Sequence, residues 1–306
     1  MEFGMVPYNA LNNVDFLLPP EPEFNSIILP GRIKKHPKIY TGCNMWGKKE
    51  WAGKIYPSTA KEKDFLEYYA KLYNAVELNA TQYKMYPAAT LDKWKNKVGK
   101  QDFKFCAKMY NGITHQGNLK DKKELTVAFL QSLQVFEDTL GPVLIQLSDT
   151  FSPKRKQELF EFLAILPLGM QFFLELRHPA WFTNEIIKEE LFNYLKLWKI
   201  GAVITDTAGR RDCAHMYLTL PKTFIRFVGN SLHATDYTRC MAWTQRLKYW
   251  VDNGLEELYF FMSMPDENNT PELTYYFMQS FNTVLGLQLK VPEIIIEKSS
   301  QIKLFE

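Results

Sequence analysis

From about residue 38 onward, short segments of alternating or apolar residues take turns with longer stretches whose apolar residues recur every three to four positions. The first pattern is that of a β-strand, the second that of an amphipathic helix. Strands are predicted at 38–44, 75–79, 103–108, 143–148, 172–178, 202–207, 223–229 and 257–263, with helices at 61–73, 119–139, 153–165, 184–199, 238–253 and 270–285. Ser152 before Pro153, and Thr270 before Pro271, read as helix starts. Eight strands alternating with helices predict an α/β protein, a single (β/α)8 TIM-like barrel. An open doubly wound sheet commonly opens with a GxGxxG turn, and none follows 38–44. Residues 1–37 are rich in Pro, Asn and acidic residues and end in Arg32, Lys34 and Lys35. They read as an extended N-terminal arm around a barrel at 38–286, with a C-terminal tail at 287–306.

Strand parity sorts the side chains. In QFFLELRH (171–178), Phe172, Leu174 and Leu176 share one face, while Phe173, Glu175 and Arg177 share the other. Each strand repeats the arrangement, with an apolar face for helices and a polar group near its C-terminal end. Glu77, Lys108, Glu175, Arg177, Asp206 and Arg226 form the predicted inward charges, joined by Asn79 and Gln146. In a (β/α)8 barrel that end carries the active site. Six unpaired buried ions would exceed a domain's whole stability of ~5–15 kcal/mol, so these groups must pair, border water, or both. A balanced ionic plug is the bland interpretation. A polar site poised for binding or proton transfer is the sharper one, because all six groups fall near strand ends.

Aromatic side chains fall in the loops at the same end: Trp46, Trp51, Tyr56, Tyr83, Trp181 and Tyr237. Singly such residues usually pack; together they suggest a stacking rim for a planar or sugar-like ligand. His115 and His178 stand near the carboxylates as candidate acid–base groups.

Composition narrows the class. The chain has 306 residues, 46% hydrophobic and 23% charged, with a net charge of +3 too small to imply nucleic acid. Cys43, Cys106, Cys213 and Cys240 form no CxxC pair, so reduced thiols and a cytoplasmic location are expected. The N-terminus does not read as a signal peptide, and no apolar stretch suits a membrane span.

The segments GCNMWGKKEWAGKIYP, VELNATQY, FKFCAK, ITH, LGPVLIQL, LELRHPAW and TD followed by IRFVG resemble the YecE-like family, known as domain of unknown function seventy-two. The resemblance spans about residues 38–285. It implies a TIM-like barrel and no particular reaction. Its matching positions are Gly42, Trp46, Trp51, Gly53, Tyr56, Pro57, Glu77, Asn79, Tyr83, Lys108, Thr114, His115 and Gln146, then Glu175, Arg177, His178, Trp181, Asp206, Arg226, Gly229 and Tyr237. Two departures stand out. Val228 replaces the histidine of the family's Arg-x-His-Gly on strand seven, and FFMSMPDENN replaces Phe-x-Asn after strand eight.

The foremost functional expectation is a small polar or phosphorylated ligand at the barrel mouth. Lys108, Arg177 and Arg226 would bind its anionic group, and Glu77, Glu175, Asp206 or His178 would move protons. Asn230, after strand seven, would add donors where phosphate often sits in such barrels. A nucleic-acid-binding or endonuclease-type barrel is the alternative, although five histidines in all suit a trinuclear zinc site poorly. A glycosidase is disfavoured by the interleaved bases. A non-catalytic binding module stays open, because fold does not give function. No cofactor is expected, although a single divalent ion on carboxylates and His178 fits the residue types. The sequence leaves the oligomeric state open.

Overall fold

The computed structural model describes residues 4–31 and 36–295. The basic end of the arm at Arg32, Lys34 and Lys35, and the tail from 296 to 306, lie outside the described residues. The strands are β1 (Lys38–Cys43), β2 (Ala75–Leu78), β3 (Lys104–Ala107), β4 (Val143–Gln146), β5 (Phe172–Glu175), β6 (Gly201–Asp206), β7 (Lys222–Val228) and β8 (Glu257–Ser263). The helices are α1 (Phe65–Leu72), α2 (Ala80–Tyr83), α3 (Ala88–Val98), α4 (Asn111–Thr114), α5 (Lys123–Leu133), α6 (Lys156–Ala164), α7 (Ala180–Thr183), α8 (Glu185–Leu197), α9 (Ala234–Asp252) and α10 (Thr270–Leu285). All eight predicted strands and all six predicted helices are present. Helix α3 at 88–98 is not among the expected ones: AATLDKWKNKV has only a thin apolar stripe, and Leu91 and Val98 are its buried residues.

The strands form a six-stranded parallel sheet in the order β1-β8-β7-β6-β5-β4 and a separate parallel pair, β2-β3. This is the expected alternation, but backbone ladders do not join all eight strands into one ring. Between β3 and β4 only isolated bridges occur, Phe105 with Leu140 and Lys108 with Leu144. Between β1 and β2 side chains do the work of backbone. Asn74 accepts from the Thr41 amide at 2.8 Å and donates to the Ile39 carbonyl at 2.8 Å. The Tyr69 hydroxyl accepts from the Cys43 amide at 2.7 Å and donates to the Ala75 carbonyl at 2.9 Å. Gly42 makes this approach feasible, since a Cβ there would lie 1.9 Å from the Ala75 carbonyl oxygen.

Two apolar layers lie outside the strands, against the helices. A third cluster lies inside and draws on every strand: Tyr40, Ala75, Cys106, Leu144, Phe173, Val203, Phe224, Tyr259 and Phe261. It plugs the lower interior with close-packed rings, and the polar residues stand above it. The four cysteines are buried free thiols.

The arm is less extended than expected, with 3-10 turns at Tyr8–Asn13 and Glu23–Ile27. It is fastened by Glu21, which accepts from Trp250 Nε1 at 2.9 Å and Arg246 at 3.0 Å, and by Asn25, which bonds the Met216 carbonyl and the Leu218 amide at 2.8 Å each. Thr270 does not cap α10 from outside; it is the helix's first residue, and its hydroxyl donates to Glu267 at 2.6 Å.

Candidate functional site

The strands carry the inner polar residues to one level. Gln146 of β4 is in register with Glu175 of β5, and Thr205 of β6 with Arg226 of β7. Arg226 spans the interior. Its Nε and Nη2 donate to both oxygens of Glu77 at 2.8 Å, and its Nη1 reaches Glu175 Oε2 at 2.9 Å. One guanidinium thus ties the β2-β3 pair to the six-stranded sheet. Arg177 Nε donates to Glu175 Oε1 at 2.8 Å. Burial alone would raise the Glu175 pKa, but Arg177, Arg226 and Lys108 hold it down to about 2. Burial would lower that of Arg226, and Glu175 and Glu77 hold it above the usual value.

Lys108 completes the group differently. It is 1% exposed, and among the described residues its Nζ has no hydrogen-bond partner. Burial first, then Arg226, lowers its pKa to about 7. A buried ammonium without acceptors is costly, so the neutral amine prevails as pH rises past that value. Further unpartnered buried atoms are Gln146 Oε1, Thr205 Oγ1, Asn79 Oδ1, Gln82 Oε1, Asn44 Oδ1 and Asn230 Nδ2. All stand at or just beyond the C-terminal ends of their strands. His115 is exposed beside them, 3.4 Å from Gln146 and 2.7 Å from Thr114. Partial burial first, then Lys108 and Arg177, lower its pKa.

Five of the six predicted inward charges therefore converge: Glu77, Lys108, Glu175, Arg177 and Arg226. Asp206 does not. Val203 belongs to the inner cluster, so parity sends Asp206 outward. The apolar plug misled the assignment, because the lower interior between the strands is as apolar as their outer face. Asp206 accepts from Trp243 Nε1 at 2.7 Å and Arg239 Nε at 3.2 Å, both on α9, and from Arg211. Against burial, which would raise it, Arg239 and Arg211 hold its pKa below the usual value. Arg239 also lies over the Phe227 and Phe16 rings, locking the arm to this edge. Thr205 is the inward residue of β6 that parity should have named.

The aromatic rim is largely structural. Trp51 and Trp181 are fully buried, their indoles donating to the Glu267 and Phe151 carbonyls at 2.8 Å each. Tyr56 is buried and donates to the Trp46 carbonyl at 3.0 Å. Trp46 stands edge-on to Trp94, and Tyr237 edge-on to Tyr276. Tyr83 is exposed. An indole N–H taken out of water needs a fixed acceptor, and that need makes Trp51 and Trp181 anchors rather than platforms. His178 accepts from the Ala180 amide at 3.2 Å within its own turn. Asn230 lies beside the arm, where residues 4–8, Leu11 and 228–231 line a cleft of about 230 Å³.

Glu267 escaped the sequence reading. It accepts from Asn44 Nδ2 at 2.8 Å, and burial raises its pKa above the usual carboxylate value. The cue was its place in PDENN, where the family pattern breaks after β8. Among the described residues, no group of three or more His, Cys, Asp and Glu could hold a metal ion, and no helix is long and apolar enough to cross a membrane.

Comparison with known proteins agrees with this architecture. UPF0759 protein YecE of Escherichia coli K12 is 28% identical over 274 residues, covering 84% of this chain and 97% of that protein. UPF0759 protein YunF of Bacillus subtilis 168 is 29% identical over 160 residues, covering 50% and 55%. A DUF72 family protein from Enterococcus faecalis V583 superposes with a TM-score of 0.66 at 19% identity, over 85% of this chain and 98% of that one. One from Thermotoga maritima MSB8 gives 0.62 at 21%, over 82% and 100%. The family described as "Protein of unknown function DUF72" matches residues 40–293, and this chain, with its inner ionic cluster at the strand ends, belongs to it.

Proposed function

We propose that the protein binds a small polar ligand bearing a carboxylate or phosphate group at the C-terminal ends of its strands, which act together as one barrel. The carrying observation is Lys108. The oxygens of Glu77 and Glu175 are taken by Arg226 and Arg177, so their charge reaches Lys108 only at a distance and its Nζ has no hydrogen-bond partner among the described residues. An anionic ligand supplies that partner and favours the ammonium form. Binding at neutral pH or above is therefore coupled to proton uptake. The unpartnered oxygens of Gln146, Asn79 and Gln82 suit ligand hydroxyls. Acid–base chemistry has partners at hand, since Glu175 stays ionised while Glu267 is held toward protonation.

The test is calorimetric titration with inorganic phosphate and glycerol 3-phosphate in two buffers of different ionisation enthalpy. Binding is expected at millimolar levels or tighter, with a buffer-dependent heat that vanishes in Lys108→Met. No binding, or equal binding by Lys108→Met, removes the proposal.

A further inference from the structure

We infer that Lys108 is an amine nucleophile that forms an imine with a hydroxylated aldehyde or ketone carrying its own carboxylate or phosphate. The inference rests on the anion reading above and names the reaction class of the same site. Its basis is geometric. The amine sits just past the end of β3, almost wholly buried, on the inner face, with no acceptor among the described residues. Arg226, Arg177, Glu77, Glu175 and the more distant His115 are the charged or titratable groups that act on it. Both arginines are immobilised on the carboxylates, so they supply positive potential without supplying a proton acceptor. A desolvated lysine beside fixed cations keeps its lone pair, the condition for attack on a carbonyl.

The step balances without a further reagent. The amine nitrogen attacks the carbonyl carbon, the C–N bond forms, and a carbinolamine results. The C–O bond then breaks, and the carbonyl oxygen leaves as water with the two protons that the amine carried. Exposed His115, hydrogen-bonded to Gln146 of the same rim, is placed to relay them. Protonation of the imine returns a positive charge to a cluster whose carboxylates are already occupied. The substrate must therefore bring the counter-charge itself, which selects an anionic carbonyl compound. The unpartnered oxygens of Gln146, Asn79 and Gln82 select one with hydroxyls.

The experiment is reductive trapping on the full chain. The protein is incubated with glyceraldehyde 3-phosphate and sodium cyanoborohydride, then analysed by intact mass and peptide mapping. One adduct per chain is expected at Lys108, formed roughly a hundredfold faster than at exposed Lys49, because an ordinary lysine is only about one part in a thousand unprotonated at neutral pH. At subsaturating aldehyde the labelling rate should rise through pH about 7, the value for the ligand-free site, and level off above it. Lys108→Met and Lys108→Arg should lose the adduct, and mapping of the native chain carries the result should either variant fail to fold. Unphosphorylated glyceraldehyde should label at least tenfold more slowly; equal labelling overturns the anionic-substrate clause. If glycerol 3-phosphate binds but adducts scatter over surface lysines, the nucleophile inference falls and the anion site stands. If neither occurs, both fall.

Discussion

The molecule holds two buried ionic clusters of similar make-up that differ in completeness. In the outer one, Asp206 accepts from Arg239, Arg211 and Trp243, while Asp236 accepts from Arg239 at 3.3 Å and from the Asn230 amide at 2.8 Å. Among the described residues, no buried side-chain atom of Asp206, Asp236, Arg239, Arg211 or Trp243 lacks a partner, and Asn230, which joins through its backbone, keeps one unpartnered atom, Nδ2. In the inner one, the carboxylates are equally well served, yet Lys108, Gln146 and Thr205 each keep an unused polar atom. Burying a polar atom unpaired costs about 1–3 kcal/mol, and the outer cluster shows that this fold can avoid it. Full satisfaction fits a cluster that fastens strand, helix and arm. Incomplete satisfaction fits one whose last partner is a ligand.

The sharpest way to break this comparison is to remove each cluster's central arginine. Arg226→Ala strands both Glu77 and Glu175, and should cost about 5 kcal/mol, the upper end for a broken buried pair, in denaturant unfolding. Arg239→Ala should cost less, about 3 kcal/mol, because Arg211 and Trp243 still serve Asp206. Saturating phosphate is expected to raise the melting temperatures of the native protein and of the Arg239 variant alike; a rise in the native protein alone would mean that the clusters are not independent.

The next effect is pH-dependent. The folded pKa of Lys108 lies near 7, well below its unfolded value of 10.5, so between these values the unfolded chain binds the extra proton. Stability from this group therefore rises with pH, by about 2 kcal/mol from pH 7 to 9, and its cost is greatest below 7. Buried thiols whose pKa is raised, such as Cys43 and Cys240, oppose it toward alkaline pH. The readout is accordingly the native protein minus Lys108→Met, and a flat difference would refute the placement. The smallest effect should come from Thr205→Val, which removes an unpartnered hydroxyl. Stability should shift by less than about 1 kcal/mol, while phosphate affinity falls.

Much of this was written in the chain. Period-two alternation placed all eight strands, and five of six charges reached the predicted level because strand parity and strand ends fix both face and height. Asp206 failed because parity needs a reference, and on β6 that reference is Val203, which belongs to the inner plug and so turns Asp206 outward. Trp51 and Trp181 failed because composition cannot say whether an indole finds a buried acceptor. The joints between β1 and β2 were illegible, since Asn74 and Tyr69 act through distances that periodicity does not encode.

That joint sets what heredity can alter. A backbone ladder is made of atoms common to every residue but proline, so most codon changes leave it intact. Where Asn74 and Tyr69 stand in for the ladder, one base substitution can loosen the hold of β2 on β1. Descendants of this chain can vary the grip on Glu77 and Lys108 without touching either residue.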